Sequence, residues 1–348
     1  MIPPKPYFRK LLILIAGIIL IQVLKRYPTV VEAFYTRGLF PILSVSMRAL
    51  TSFFPFSIGD LLYISAIGWI ILQLKNGFAG YTDTRSFVAG ILWKVAWIYL
   101  IFNFLWGMNY NRVGMEEQLG IKAAVPQKKE LESMVDILIE KMNANASASY
   151  KGKDFDRLKK ISTGSYISLT HTDHQYNFKF HSIKPSIFGK LGNYLGYSGY
   201  YNPFSSEGQV NMHVPSFLLP GVACHEMAHQ LGYAREDEAN FIGFLAARNG
   251  DSSARYSVYF SSFLYANRAL FELDSSLAKL KIKKLSPNVR RDLKDYKKYI
   301  LQYHTPIESL VDYFYDHYLK FNEQPLGTVT YSRVVVWMAA YLRKHGDL

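Results

Sequence analysis

Three apolar runs dominate the first third of the chain, and each holds at most two strongly polar residues. The runs are Leu11–Leu24, Leu61–Leu74 and Phe87–Met108. A transmembrane helix needs about 20 mostly apolar residues, so the first two runs must borrow from their flanks. We expect a mainly α-helical membrane protein with spans near 9–26, 57–75 and 87–108. The alternative, three core helices of a large soluble domain, is weaker for three such runs in 110 residues.

After residue 110 the pattern changes to that of a folded domain, which we place at residues 111–348. Within residues 126–160, apolar residues recur at helical spacing, which predicts an amphipathic helix. They are Leu131, Met134, Leu138 and Met142. Aromatic residues predict further helices over 255–275 and 305–321, and the apolar residues of 329–343 predict a core or interfacial helix.

Residues 181–215 are rich in Gly, Tyr and Pro, which indicates turns and short strands. Within them, 209–214 is predicted to be an extended strand just before an apolar helix. An edge strand in this place can bind a substrate backbone by strand addition. The domain is therefore expected to be α+β.

Composition fits a membrane protein better than a nucleic-acid-binding one. Hydrophobic residues make up 49% of the chain, aromatic residues 16%, and the formal net charge is +13. A basic balance suits nucleic acid or an anionic membrane. The basic residues are scattered, and no zinc finger, phosphate-binding glycine loop or RNA-binding motif is present. We expect a lipid bilayer as a partner and no nucleic acid.

The charges near the predicted spans bear on orientation. Lys5, Arg9 and Lys10 favour a cytoplasmic N-terminus, and three spans then place residues 111–348 on the extracytoplasmic side of a bacterial inner membrane. Four Lys and Arg residues in the first loop count against this, so orientation stays open. The single cysteine excludes an intrachain disulfide and leaves the redox compartment undecided.

The strongest chemical signal is His225-Glu226-x-x-His229, the signature of a zinc hydrolase helix. Two histidines four residues apart lie on one helix face, so both imidazoles can reach one Zn²⁺ ion. Glu226 lies about 100° further round, where its carboxylate can reach an attacking water. With nine His and 27 acidic residues in the chain, the motif is expected by chance about 0.02 times. We therefore assign Glu226 as a catalytic residue.

A third metal ligand is expected shortly after the motif. Gly232 is suited to a left-handed helix end, which would turn the chain back past the metal. Glu236 is the favoured ligand and Glu238 stays open as the alternative. If a second helix starts near residue 235, Glu236 and Asn240 share a face, and Asn240 can support a histidine. The segment Glu-x-x-Ala-Asn is similar to the Glu-x-x-Ala-Asp ligand motif of membrane-embedded gluzincin peptidases.

Further candidates concern stabilisation of a developing oxyanion. Tyr201 and His213 are assigned as possible catalytic residues for this role, with Tyr200 as another choice. Ordinary packing in turns and strands is the competing interpretation. Cys224, next to the motif, is expected to be a small packing residue and not a ligand.

Four segments together resemble an uncharacterised bacterial membrane family, the domain-of-unknown-function 3810 family. They are Trp106–Arg112, Lys184–Ser186, Gly199–Phe204 and Cys224–Phe241. The resemblance covers most of the chain and implies a zincin-like metalloprotein, but it carries no established substrate. The enzymatic interpretation therefore rests on the residues themselves.

The function expected from these observations is a membrane-anchored zinc-dependent metallopeptidase. His225, His229 and Glu236 would bind the zinc, and a peptide or protein near the membrane would be the substrate. The alternative is a non-catalytic module that a metal stabilises and that binds a protein partner. A small transporter is a weaker third interpretation, because the spans hold few charges beyond Lys94 and Asp60.

Overall fold

The protein is represented by a computed structural model, which describes residues 5–78, 84–304, 313, 317 and 333–348. These residues are mostly helical, with one three-stranded sheet. The N-terminal part contains α1 to α5 and a π-helix between α2 and α3. Their bounds are α1 Lys5–Leu24, α2 Pro28–Val30, the π-helix Val31–Leu39, α3 Phe40–Thr51, α4 Ile58–Phe78 and α5 Thr84–Leu105.

Two helices are long and apolar enough to cross a membrane, at Ile58–Lys75 in α4 and Arg85–Leu105 in α5. The predicted second and third spans are therefore confirmed as candidates by length and composition. The predicted first span, near 9–26, differs. Arg9–Leu24 passes the same test only together with Pro28–Thr51, and the two parts are bent by 105°. The described residues therefore hold two candidate spans, or three if this bent pair is one span.

The segment after α1 packs against the rest of the molecule. Val31, Tyr35 and Phe40 are buried in an aromatic cluster with Trp106 and Tyr201. In α3, Arg48 is buried and its guanidinium donates to the carbonyl oxygen of Gln230, at 3.1 Å. This segment therefore joins the apolar N-terminal helices to the folded domain.

The domain continues with short helices and the sheet. Its first elements are α6 Met115–Leu119, α7 Lys128–Asn145, α8 Phe155–Thr172, β1 Ile183–Pro185, α9 Gly189–Tyr194, β2 Gly199–Asn202 and β3 Glu207–Val210. The amphipathic helix predicted in 126–160 is confirmed as α7, which starts at a capping box of Gln127 and Glu130. Its four predicted apolar positions are buried in the main core.

The sheet corrects the strand that was predicted at 209–214. The strand β3 ends at Val210, and residues 211–214 form a turn. β3 is also the central strand, parallel to β1 and antiparallel to β2, with Tyr201 opposite Gly208. Both sides of β3 are paired, so it offers no edge for strand addition. In the described sheet, β2 is an edge strand, and its Gly199 lies against Glu226 of the helix with the histidine motif.

The remaining helices form the core around this motif. They are α10 Leu219–Gln230, α11 Glu236–Arg248, α12 Ser252–Leu273, α13 Ser275–Ile282, α14 Pro287–Tyr303 and α15 Val334–His345. Asp251 and Ser286 cap α12 and α14 by accepting from backbone amides of the first turn. The helix predicted at 329–343 is a core helix, α15. The predicted helix at 305–321 lies outside the described residues apart from 313 and 317.

Candidate metal centre

The two motif histidines lie on α10, a helix held by close contacts with small residues on both sides. A Cβ atom at Gly243 of α11 would come within 2.9 Å of the His225 backbone nitrogen. A Cβ at Gly208 of β3 would come within 2.9 Å of the Glu226 Cβ. Glycine at these two positions therefore allows α11 and the sheet to pack directly on the motif helix.

Three side chains of the predicted ligand set meet at one point. His225 Nε2 and His229 Nε2 are 3.2 Å apart. Glu236 places Oε2 3.2 Å from His225 Nε2 and Oε1 3.9 Å from His229 Nε2. In a tetrahedral zinc site with bonds near 2.05 Å, ligand atoms lie about 3.3 Å from each other. The spacing of this cluster therefore fits the ligand spacing of a zinc ion.

The protonation of His229 is set by the turn that follows α10. Gly232 has φ +84°, and the amides of Gly232 and Tyr233 donate to the carbonyls of His229 and Ala228. This is a Schellman motif, and it confirms the left-handed helix end predicted at Gly232. The Tyr233 carbonyl then accepts from His229 Nδ1 at 2.7 Å. Because Nδ1 carries the proton, the lone pair of Nε2 faces Glu236 and His225.

Burial and charge act on the two imidazoles in opposite ways. Burial lowers the pKa of His229 to about 4, so the ring stays neutral. Burial also disfavours charge on His225, but its hydrogen bond to the Glu236 carboxylate and the charges of Glu226 and Glu236 outweigh this and raise the pKa of His225. Asn240 acts on the same ring in the same direction. The 3.2 Å between His225 Nε2 and Glu236 Oε2 is short enough for an ion pair whenever this ring is protonated.

Glu226 is a buried carboxylate beside this cluster. Its side chain is 3% exposed, and its Oε2 atom has no hydrogen-bond partner among the described residues. Burial raises the pKa of Glu226 to about 8, the charge of His225 lowers it, and that of Glu236 adds to the rise. Strand β2 passes directly over it, since a Cβ at Gly199 would collide with Glu226 Oε1. A buried acid with a free oxygen is equipped to exchange a proton with a water.

Glu236 and Glu238, the two alternatives for the third metal ligand, both lie on α11 but face different neighbours. The start of α11 at Glu236 confirms the second helix predicted near residue 235. Glu236 faces α10, whereas Glu238 lies near Arg235 and Arg112 and accepts from the Met115 amide. Burial raises the pKa of Glu238 to about 7. Among the described residues, the group that can hold a metal contains His225, His229 and Glu236.

The three residues predicted to stabilise an oxyanion, Tyr200, Tyr201 and His213, lie in different surroundings. The Tyr201 ring lies 6.1 Å from that of His229, but its hydroxyl donates to Ser206 at 3.0 Å. The hydroxyl of Tyr200 donates to Asp60. His213 is exposed in the turn after β3 and lies outside the cavity described next. The hydroxyl groups of Tyr200 and Tyr201 thus bond to residues outside the cluster of His225, His229 and Glu236.

A cavity of about 1160 Å³ opens onto the cluster. It contains His225, Glu226, His229 and Glu236, and its walls come from distant parts of the chain. These walls are residues of α5, β2, α12 and α14, which include Phe102, Tyr200, Tyr265 and Tyr299. No local sequence pattern predicts this lining, because it joins elements that are far apart in the chain. Trp106, directly after α5, packs 6.0 Å from the His229 ring.

Cys224 is not part of the cluster. Its side chain is buried, its carbonyl accepts from the Tyr166 hydroxyl at 2.7 Å, and burial raises the pKa of its thiol to about 12. A thiol in such surroundings packs and does not react, as expected from the sequence.

Residues 35–339 match the sequence model of the DUF3810 family, which is described as a protein of unknown function. The match covers most of the chain, so the protein belongs to this family. Comparisons with curated proteins and with solved structures gave no match.

Proposed function

We propose that this member of the DUF3810 family is a membrane-anchored, zinc-dependent metallopeptidase of zincin-like, gluzincin type. One observation carries the proposal: two imidazoles and a carboxylate converge at 3.2 to 3.9 Å, with a second buried carboxylate, Glu226, beside them. A purely structural metal site has little need for an acid with a free oxygen next to its ligands.

The donor set suits Zn²⁺. His225, His229 and Glu236 would hold the ion, and three protein ligands with an open position are typical of catalytic zinc. Bound zinc would supply Lewis acidity, which activates water and polarises a carbonyl. The hydrogen bond from His229 Nδ1 to Tyr233 keeps the ring oriented for this task.

The chain's own groups then perform the proton transfers. Glu226 accepts a proton from the attacking water, whose oxygen forms a bond to the peptide carbonyl carbon. When the C–N bond breaks, Glu226 returns that proton to the leaving amine. The substrate backbone is proposed to lie along β2, because the backbone of this strand at Gly199 lies directly against the Glu226 carboxylate. Tyr201 stays a candidate for positioning, through its ring beside His229.

The alternative is a metal-stabilised module that binds a protein partner without catalysis. It would be favoured by a fourth protein ligand that closes the site, and Glu238 was the candidate. Glu238 lies instead beside Arg112 and Arg235. The described residues thus offer no closing ligand, which supports the catalytic interpretation.

The decisive experiment compares wild type with Glu226→Gln and with Glu238→Gln as the matched control. All three are purified as full chains, and metal is counted by elemental analysis. We expect about one zinc per chain in each, with hydrolysis of a peptide library lost only in Glu226→Gln. Full activity in Glu226→Gln would disprove the mechanism. One zinc without any hydrolysis in wild type would favour the binding module.

We also propose that the protein lies in a bacterial inner membrane with residues 111–348 on the extracytoplasmic side. The two or three apolar helices support a membrane location, and Lys5, Arg9 and Lys10 support the orientation. Cys224 is buried, so a Lys151→Cys variant places one exposed thiol on the domain. Labelling of this variant in intact cells by a membrane-impermeant maleimide is expected. Labelling only after lysis would reverse the orientation.

A further inference from the structure

The cavity that reaches the metal cluster is walled on one side by a candidate membrane span. Val95, Ile98, Tyr99 and Phe102 of α5 line it, and all four belong to the apolar stretch Arg85–Leu105. From Leu105, at its end, to Val95 the helix rises about 15 Å. The cavity therefore extends from the cluster to about half the depth of that stretch.

This wall is open to the surroundings of the helix. Val95 and Ile98 are 55% and 51% exposed, although both line the cavity. In a bilayer, such residues border the hydrocarbon region. If α5 spans a bilayer, a molecule held in the membrane would reach the cavity past these two side chains, without first entering water.

The lining is apolar and aromatic and carries few charges. Ten tyrosines line the cavity, and Glu226 and Glu236 are the only acidic residues in the described part of its wall. No Lys or Arg occurs among the described residues of the lining. A site that binds a phosphate or a free carboxylate normally contains a Lys or Arg side chain. The lining thus disfavours a phospholipid headgroup and a peptide C-terminus, and it suits an apolar segment within a chain.

The opposite wall is α14, whose two sides differ. Tyr296, Tyr299, Ile300 and Tyr303 line the cavity. The other side carries five exposed cations, at Arg290, Arg291, Lys294, Lys297 and Lys298, with Asp295 as the exposed acid. Tyrosines beside a basic helix surface are typical of the headgroup level of an anionic membrane. α14 therefore suits a position at the interface, with the cavity between it and α5.

We infer that the substrate is a membrane-embedded polypeptide, whose apolar segment enters the cavity past α5 while the peptide bond beside that segment reaches Glu226. This inference rests on the proposed peptidase function. It adds the substrate class and assigns Ile98 and Phe102 to substrate binding. The apolar segment is buried against aromatic side chains, and the polar flank lies at the cluster, where β2 can align it.

The test uses the full chain in vesicles of phosphatidylethanolamine and phosphatidylglycerol, with two fluorogenic peptides. The first is a short polar peptide, and the second is the same peptide fused to an apolar stretch of roughly 20 residues. Ile98→Trp narrows the cavity. Leu92→Trp is the matched control, because Leu92 is 63% exposed on the same helix and does not line the cavity.

We expect the fused peptide to be cleaved at least tenfold faster than the polar one. Ile98→Trp should lower this ratio at least tenfold, whereas Leu92→Trp should leave it unchanged. Equal cleavage of both peptides by wild type, or equal effects of the two tryptophan variants, would overturn the inference. So would release of fatty acid from the vesicle lipids in place of peptide cleavage.

A second measurement is independent of hydrolysis. In the Glu226→Gln background, binding of the labelled fused peptide is followed by fluorescence anisotropy. Ile98→Trp is expected to weaken this binding at least tenfold relative to Leu92→Trp. If wild type cleaves nothing but this difference in binding holds, the peptidase function fails and the binding site stands. If cleavage occurs but the variants bind equally, the inference about the membrane-embedded segment fails.

Discussion

His229 Nδ1 donates to the carbonyl oxygen of Tyr233 at 2.7 Å, and this bond links the geometry of a helix end to the chemistry of a ligand. Tyr233 reaches the ring because Gly232 turns the chain in a left-handed conformation. A bond from the second ring nitrogen to a carbonyl fixes the tautomer of a ligating histidine. The local backbone therefore determines which nitrogen of His229 is available to a metal.

Gly232→Ala is expected to weaken both stability and metal binding. An L residue at φ +84° costs about 1 to 2 kcal/mol, and its Cβ would lie 3.0 Å from Phe40. Displacing the Tyr233 carbonyl should lower zinc affinity about 10- to 100-fold. Urea unfolding and zinc titration measure the two effects. Gly152→Ala is the control, because Gly152 has φ +86° and a Cβ added there would have no heavy atom within 4 Å.

The same pair of variants separates backbone strain from loss of the site. Gly152→Ala should lose stability with unchanged zinc affinity. If Gly232→Ala bound zinc as tightly as Gly152→Ala, the turn would have no role in orienting His229.

Glu236→Gln is expected to abolish stoichiometric zinc binding, whereas Glu238→Gln should retain it. Glu236 Oε2 lies 3.2 Å from His225 Nε2, while Glu238 faces the Met115 amide. An amide oxygen is a much poorer zinc ligand than a carboxylate. Elemental analysis of both variants after dialysis is the measurement. The opposite result would make Glu238 the ligand and require α11 to rotate.

Gly199→Ala is expected to reduce hydrolysis strongly while zinc stays bound. Its methyl group would collide with Glu226 Oε1 and lie 2.9 Å from the carbonyl oxygen of Gln209, so the carboxylate must move. A misplaced general base costs about 10²- to 10⁴-fold in rate. Hydrolysis and zinc content are measured together. Gly114→Ala, where nothing lies within 4 Å of the added methyl, should behave as wild type.

Arg112→Met is expected to destabilise the fold by about 3 kcal/mol, because it removes one partner of a buried ion pair. Arg112 Nη2 lies 3.0 Å from Glu32 Oε1, and the guanidinium lies 4.3 Å from the Tyr233 ring centre. Glu32 would keep only Arg37, whose side chain is 65% exposed. The double variant Glu32→Gln, Arg112→Met should recover part of the loss. Urea unfolding of wild type, of the single variants Glu32→Gln and Arg112→Met, and of the double variant gives the coupling energy. An additive result would contradict the pairing.

Acid should destabilise the protein partly through His181. Burial and the charges of Arg48 and Lys159 lower the pKa of His181 to about 4, from the usual 6.5 in the unfolded chain. Below pH 6.5 the unfolded chain therefore binds a proton that the folded chain does not, and stability falls until about pH 4. The unfolding midpoint of His181→Asn should change less than that of wild type between pH 7.5 and 5. Parallel curves would show that His181 contributes nothing.

Much of the site could be predicted because its determinants are local. His225 and His229 share a face by helical periodicity, Gly232 ends the helix, and α11 starts at Glu236 as expected. Glu236, Asn240 and Gly243 also recur at helical spacing, and this small residue on their shared face marks the side that packs on α10. That signal adds to the sequence-based preference for Glu236 over Glu238.

Other predictions depended on contacts that the sequence does not record. The strand expected at 209–214 ends at Val210 and is central in the sheet, because β1 and β2 pair with its two sides. His213 was expected near the chemistry and lies in an exposed turn. In the first span, Arg9–Leu24 qualifies only together with Pro28–Thr51, from which it is bent by 105°. Val31, Tyr35 and Phe40 of the following segment pack in the aromatic cluster, a contact that no local pattern predicts.

The sequence by itself determined the chemical groups of the site and their order along two helices, because periodicity and capping act over a few residues. Only the tertiary structure decided which acid faces the histidines and what surrounds them. Glu236 and Glu238 differ by about 200° around α11, so packing on α10 selects between them. The cavity likewise joins α5 to α12 and α14, more than 140 residues later in the chain, and its lining exists only once these helices meet.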